Sequence, residues 1–334
     1  MSRRHAVAAL LLLATAGSAR AYVRETTTQG SPGTGLCMYW GGRQVHYRVN
    51  ATSAANPPGG RAPCPNCAPC LDANAAAQAV VNTMPIWGSA TRAGQGQSCT
   101  DFALVNDGNT GITSVGDDGT NLVVFRTGYC FNPSGLIAPL GDPCRGTPGA
   151  CAAKYNCWEH DPSGTIGLTT ISYRTSTGEM VDADIEFHGW DGQSPPNGYY
   201  LTCGTPSSPS CGRDPFNPPA TGCTSTDVAS VTLHEAGHVV GLDQTCVYPS
   251  PYNACPTGSI MQPTLPSGST RLTLVADDVD GICAIYPRGA ATLTCGSTGG
   301  GGGSSGGCAT AEGGGVLALG AALLGLLRTR RKSG

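Results

Sequence analysis

Two histidines four positions apart, with a glutamate directly after the first, stand at His234-Glu235-Ala236-Gly237-His238, and Val239-Val240-Gly241-Leu242-Asp243-Gln244 follows. On an α-helix, residues four apart share a face, so His234 and His238 can aim both imidazoles at one ion. Glu235 points to the side of that face, where a carboxylate can take a proton from a water held at the ion. These are the parts of a catalytic zinc site. The helix that must carry them has a readable start: Thr226-Asp227 before Val228-Ala229-Ser230-Val231 supplies an N-cap and an acidic group in the first turn. Its stop is readable too. Gly241 suits the left-handed position just past a helix end, which turns the chain back under the metal. The third ligand is then expected at Gln244.

Three further segments bear on the same chemistry. Ser259-Ile260-Met261-Gln262-Pro263 resembles the Met-turn that runs beneath the zinc in the metzincin superfamily. Leu272-Thr273-Leu274-Val275-Ala276-Asp277-Asp278-Val279-Asp280-Gly281-Ile282, ending at Ala284-Ile285-Tyr286, resembles the closing helix of the matrixins, in which an Asp-Asp pair opens a helix packed against the Met-turn. Val181-Asp182-Ala183-Asp184-Ile185-Glu186-Phe187 is similar to the strand preceding the active helix in bacterial matrixins. With the His-Glu motif, these segments resemble a matrixin-type metzincin, the matrix-metalloprotease family. That resemblance implies a zinc endopeptidase with Zn2+ held by His234, His238 and the third-ligand position, Glu235 as catalytic base, Met261 supporting the site from below, and protein or peptide substrates. It also brings calcium into view at Asp117-Asp118-Gly119 and Asp191-Gly192, although Asp-Gly pairs are ordinarily just turns.

Gln244 departs from the pattern, because matrixins carry histidine there. A glutamine amide oxygen is neutral and a weak zinc ligand beside Cys, His, Asp or Glu. Three outcomes stay open. Gln244 ligates through its oxygen; or another side chain completes the shell, from His46, His160, His188 or the adjacent Asp243; or the site is vestigial, and the chain is a catalytically impaired, matrixin-like surface binding protein. His188 is the best substitute, since it follows the strand that lines the cleft in the resembling family. Its plain alternative is a surface histidine beside a Gly-Trp-Asp-Gly turn.

The ends of the chain read as an address. A basic start, Met1-Ser2-Arg3-Arg4-His5, a short apolar run to Ala16 and the small-x-small site Ala19-Arg20-Ala21 form a signal peptide over 1–21. The domain then runs over 22–288 and a Gly/Ser-rich linker over 289–307. Cys308, an apolar stretch from Val316 to Leu327 and the basic cluster Arg328, Arg330, Arg331 and Lys332 make up 308–334. This last segment resembles the myxobacterial C-terminal sorting tag (MYXO-CTERM), which implies sorting-protease processing near Cys308 and membrane or lipid attachment at the cell surface. An ordinary tail anchor also leaves the domain outside the cytoplasm.

Cysteine use agrees with export. Of 17 cysteines, setting Cys308 aside leaves 16, enough for eight disulfides, a density that belongs to an oxidising compartment. Cys64-Pro65-Asn66-Cys67-Ala68-Pro69-Cys70 reads as disulfide framework, with no histidine nearby to suggest a metal cluster. Residues 22–307 carry 12 Lys/Arg against 21 Asp/Glu, a net charge of −9, and an acidic surface argues against nucleic acid as partner.

The elements expected to position the site form an α/β (α+β) fold: a twisted, mostly parallel sheet with three helices and disulfide-rich insertions. Gln44–Val49 alternates like a strand, and 121–125 and 167–173 are short, apolar and β-rich. Ala75–Met84 reads as a helix ended by Pro85. Cys/Pro/Gly-rich insertions fill about 55–72, 128–160 and 191–224, bordering the cleft or bracing the fold.

Overall fold

The structure, a computed structural model, describes residues 22–28, 35–52, 73–131, 137–160, 165–189, 201–203, 226–245, 258–265, 269–295 and 330–332. Along the chain come β1 (Val23–Arg24), β2 (Tyr39–Trp40), β3 (Gln44–Asn50), α1 (Ala73–Thr83), β4 (Ala103–Asn109), β5 (Asn121–Thr127), α2 (Ala150–Tyr155), β6 (Gly167–Arg174) and β7 (Glu179–Gly189). Then follow β8 (Leu201–Thr202), β9 (Thr226–Asp227), α3 (Val228–Val239), β10 (Leu242–Asp243), α4 (Ala276–Ile285) and β11 (Arg330–Lys332). The main sheet has the order β11-β6-β7-β5-β3-β4. The β3/β4, β3/β5 and β5/β7 pairs are parallel, whereas β6 folds back antiparallel on β7. The fold is thus mixed α/β with a mostly parallel sheet.

Period-two alternation in β7 explains how both faces of the sheet are covered. Ala183, Ile185 and Phe187 join the main core with Val123 and Phe125 of β5, where the two phenylalanine rings stack at 4.6 Å. The intervening Asp182, Asp184, Glu186 and His188 lie on the opposite face and are also buried. Buried carboxylates need partners, and the backbone supplies them. Asp184 accepts from Gly116 N and Leu122 N at 2.7 and 2.9 Å, and Asp182 accepts from Asp118 N and Gly119 N at 2.9 and 3.0 Å. Glu186 pairs with Arg126 at 2.7 Å, both side chains fully buried, and meets His160 at 2.9 Å.

Several elements differ from what the pattern predicts. There are four α-helices among the described residues, not three, because α2 forms inside the 128–160 insertion between two local disulfides, Cys130–Cys157 and Cys144–Cys151. Pro85 does follow the end of α1, at Thr83, as expected, but the chain goes on coiling. It enters a 3-10 turn over Met84–Ser89, where a missing N–H costs nothing, and this turn buries Trp87. β4 was not foreseen, since Ala-Leu-Val-Asn-Asp-Gly-Asn has too few β-branched residues to announce a strand; pairing with β3 makes it one. Past Arg288 the chain stays attached: Leu293 N bonds Ile285 O at 2.9 Å, and Cys295 is disulfide-linked to Cys37. No helix among the described residues is long and apolar enough to cross a membrane. The apolar stretch 316–327, Cys308, the signal segment, Cys64–Cys70 and Asp191 lie outside the described residues.

His188 is neither a surface group nor placed with other potential ligands. It is buried, stacked on Trp158 at 4.7 Å and edge-on to Tyr129 at 4.5 Å. Burial holds its pKa down to about 3, against an ordinary 6.5, so the folded form keeps it neutral. Between those values the unfolded chain binds the extra proton, and stability therefore falls as pH drops from 6.5 toward 3. Unfolding free energies from urea titrations across this window should fall with a slope of up to about 1.4 kcal/mol per pH unit from this residue, and His188→Phe should flatten that part of the curve.

Candidate functional site

The helix bearing the His-Glu motif is set by its two ends. Asp227 is the N-cap, its Oδ2 accepting from Ser230 N at 2.9 Å and from Ser230 Oγ at 2.7 Å. At the other end Gly241 has φ +92°, and a Cβ there would lie 2.9 Å from Met38 O. The left-handed turn and the close backbone approach both require glycine. The helix is nearly all buried, and two tryptophans reach its carbonyls: Trp87 Nε1 donates to Leu233 O at 2.9 Å and Trp40 Nε1 to Val239 O at 2.7 Å. Gly237 is the point of closest approach to the turn below, where a side chain would overlap the Met261 sulfur and come within 3.0 Å of Trp87.

The two imidazoles are held alike. His234 Nδ1 lies 2.7 Å from Ile260 O, and His238 Nδ1 lies 2.9 Å from Leu242 O. A carbonyl can only accept, so each Nδ1 carries a hydrogen, and in the neutral ring Nε2 is the nitrogen with the lone pair. The rings stand edge to face, 5.0 Å between centroids. Burial, first, and then the neighbouring His238 and Arg271 lower the proton affinity of His234, while Glu235 and the Ile260 hydrogen bond oppose them. A neutral imidazole is what metal ligation needs.

Glu235 is buried, and Thr169 Oγ1 donates to its Oε2 at 2.7 Å. The segment 259–261 beneath is fixed by α4: Asp278 accepts from Ile260 N at 3.1 Å with both oxygens, from Ser259 Oγ at 2.8 Å and from Val275 N at 2.9 Å. One carboxylate thus caps a helix and holds the residue whose carbonyl orients His234.

A cavity of about 170 Å³ brings His234, Glu235 and Gln244 to one wall system, with Val231, Ile260 and Arg271. Gln244 thus lines the same cavity as His234 and Glu235. The other candidates for a third ligand go elsewhere: His46 pairs with Asp107 at the surface, His160 meets Glu186, and His188 lies in its aromatic stack. Asp243 does not go elsewhere. With Glu25 and His238 it forms the one group of three His, Cys, Asp or Glu side chains gathered at metal-binding distances among the described residues. At Asp117–Gly119 the geometry is that of a turn, Asp118 Oδ1 accepting from Thr120 N at 2.9 Å.

Glu25 escaped the sequence reading. It is buried, and its Oε1 lies 3.0 Å from His238 Nδ1. Burial pushes it up to about 8; burial, then the charge of Glu25, raises Asp243 to about 6. The residue arrives through the antiparallel pairing of β1 with β10, and Glu25 N bonds Gly241 O at 3.0 Å. Nothing local in Val23-Arg24-Glu25 announces a contact 213 positions away. No known protein family matches this chain, and no curated protein matches it either.

Above about pH 8, where Glu25 is ionised, its carboxylate on the far nitrogen of a ligating His238 makes that imidazole a better donor. At such a pH Glu25→Gln should weaken zinc binding by about tenfold or more, read by competition with a chromophoric chelator. The metal-free melting temperature of the variant checks that the fold is kept, and an unchanged zinc affinity would assign Glu25 a packing role alone.

Proposed function

We propose that the chain is an exported, surface-attached zinc endopeptidase of the matrixin type. The observation that supports this most directly is the matched tethering of His234 and His238 by backbone carbonyls through Nδ1, one helical turn apart, with the buried Glu235 in the same turn of the helix. The donor set fits zinc: two imidazoles anchored through Nδ1, with Gln244 in the same cavity as His234 and an uncharged candidate for third donor. Zinc bound by these side chains supplies Lewis acidity toward a water and a peptide carbonyl.

The chain's own groups do the rest. Glu235 accepts a proton from the attacking water and passes it to the leaving amine. Thr169, donating to Glu235 Oε2, holds that carboxylate in place and leaves Oε1 for the proton. His234 and His238 stay fixed through the cycle, since Ile260 O is braced by Asp278 and Leu242 O by the turn at Gly241. Four described disulfides, Cys37–Cys295, Cys99–Cys283, Cys130–Cys157 and Cys144–Cys151, suit an oxidising, extracytoplasmic setting.

Gln244 keeps a second reading in play, a surface binding protein in which a neutral third donor holds zinc too weakly for hydrolysis. Zinc content and casein cleavage, measured together on the disulfide-intact chain, separate the two. The peptidase reading expects near one zinc per chain and cleavage that a chelator stops. Glu235→Gln should keep the zinc and lose cleavage by about 10²-fold or more, and Gln244→His should tighten zinc binding. A chain with neither zinc nor cleavage would favour the binding protein.

A further inference from the structure

The cavity beside Glu235 has a charge that hydrolysis does not need. Its walls come from the segment entering β6, from Ser230, Val231, His234 and Glu235 of α3, from Gln244, and from Ile260 and residues 262–265. Arg271 completes the lining. The Arg271 backbone is anchored, its N–H donating to Ser230 Oγ at 2.9 Å. The guanidinium makes one hydrogen bond, from Nη1 to Ser259 O at 3.3 Å, and no carboxylate among the described residues comes within ion-pair distance of it. Asp278, the acid whose field it feels, is already taken by Ser259, Ile260 and Val275. The charge of Arg271 is close enough to bear on the His234 ring.

A half-buried guanidinium with spare donors, on the wall of a cavity shared with the reacting groups, is complementary to a planar carboxylate. Because the same cavity includes His234 and Glu235, any side chain that fills it belongs to a residue next to the bond being cut. We infer that the cavity is a specificity pocket for an acidic side chain, Asp or Glu, with Arg271 as its recognising group. A Glu side chain lays its methylenes along Val231 and Ile260 and presents its carboxylate to the guanidinium. This rests on the peptidase reading for the word "cut", but the pocket's preference for a carboxylate can be read without cleavage.

The test has two arms, both on the zinc-loaded chain. In the first, a peptide library is digested, the cut sites are read by mass spectrometry, and matched peptides with Glu, Gln, Leu or Lys at the favoured position are compared by kcat/KM. Glu should exceed Leu and Lys by about tenfold or more. Arg271→Leu should erase that ratio, Arg271→Lys should keep part of it, and Arg271→Glu should turn the preference toward Lys. Thermal melts of the three variants exclude misfolding, and two of them retain a charge at the position. In the second arm, fluorescently labelled versions of the same peptides are titrated onto the Glu235→Gln chain and onto its Arg271→Leu derivative. If the wild type cuts nothing, the peptidase reading fails; Glu-selective binding that vanishes with Arg271→Leu would still support the pocket. Cleavage or binding indifferent to the acid, or a preference that survives Arg271→Leu, overturns the inference.

Discussion

Two backbone carbonyls, Ile260 O and Leu242 O, hold the centre of this molecule, because they orient the imidazoles of His234 and His238. An imidazole free to turn about its bond loses the alignment a metal requires, and rotamer entropy opposes every fixed orientation. Each carbonyl is therefore anchored elsewhere. Ile260 hangs from Asp278 at the start of α4, and Leu242 follows the glycine turn at Gly241 and pairs in β10 with Arg24 of β1. Segments far apart in the chain thus converge on two hydrogen bonds.

The remaining architecture keeps those anchors still. The helix between them is buried against β6 and α1, with Trp40 and Trp87 bonded to its carbonyls from the core. The Cys99–Cys283 bridge fastens α4, and Cys37–Cys295 fastens the N-terminal segment that brings in Glu25. Long-range links of this kind restrict the unfolded chain most, and both tie down an element that touches the site. On strand β7, Asp182 and Asp184 accept from backbone amides of residues 116–122 and Glu186 pairs with Arg126, which holds the polar face of the sheet in place.

Those parts of the structure that depend on local chemistry were readable in advance. Asp227 and Gly241 mark the helix ends by capping and by positive φ, and the strands 44–50, 121–127 and 167–174 declare themselves through alternation or β-branched runs. The His-Glu-His face follows from helical periodicity alone. What escaped depends on long-range contact. Glu25 reaches His238 only because β1 pairs with β10. Arg271 joins the cavity through a backbone bond to Ser230, 41 positions earlier. β4 is a strand by virtue of its neighbour, and the turn through Pro85 is set by Trp87 seeking Leu233 O. His188 was a substitute ligand by the family resemblance and a surface group by its sequence neighbours; the rings of Trp158 and Tyr129 bury it instead.

Zinc-edge X-ray absorption on the zinc-loaded chain tests the central claim most directly, since it reports the donors themselves. The account predicts a low-coordinate nitrogen/oxygen shell near about 2.0 Å, with multiple scattering from two imidazoles and no sulfur. A shell containing sulfur near about 2.3 Å, or one without imidazole scattering, would place the metal elsewhere and contradict the assignment of His234 and His238.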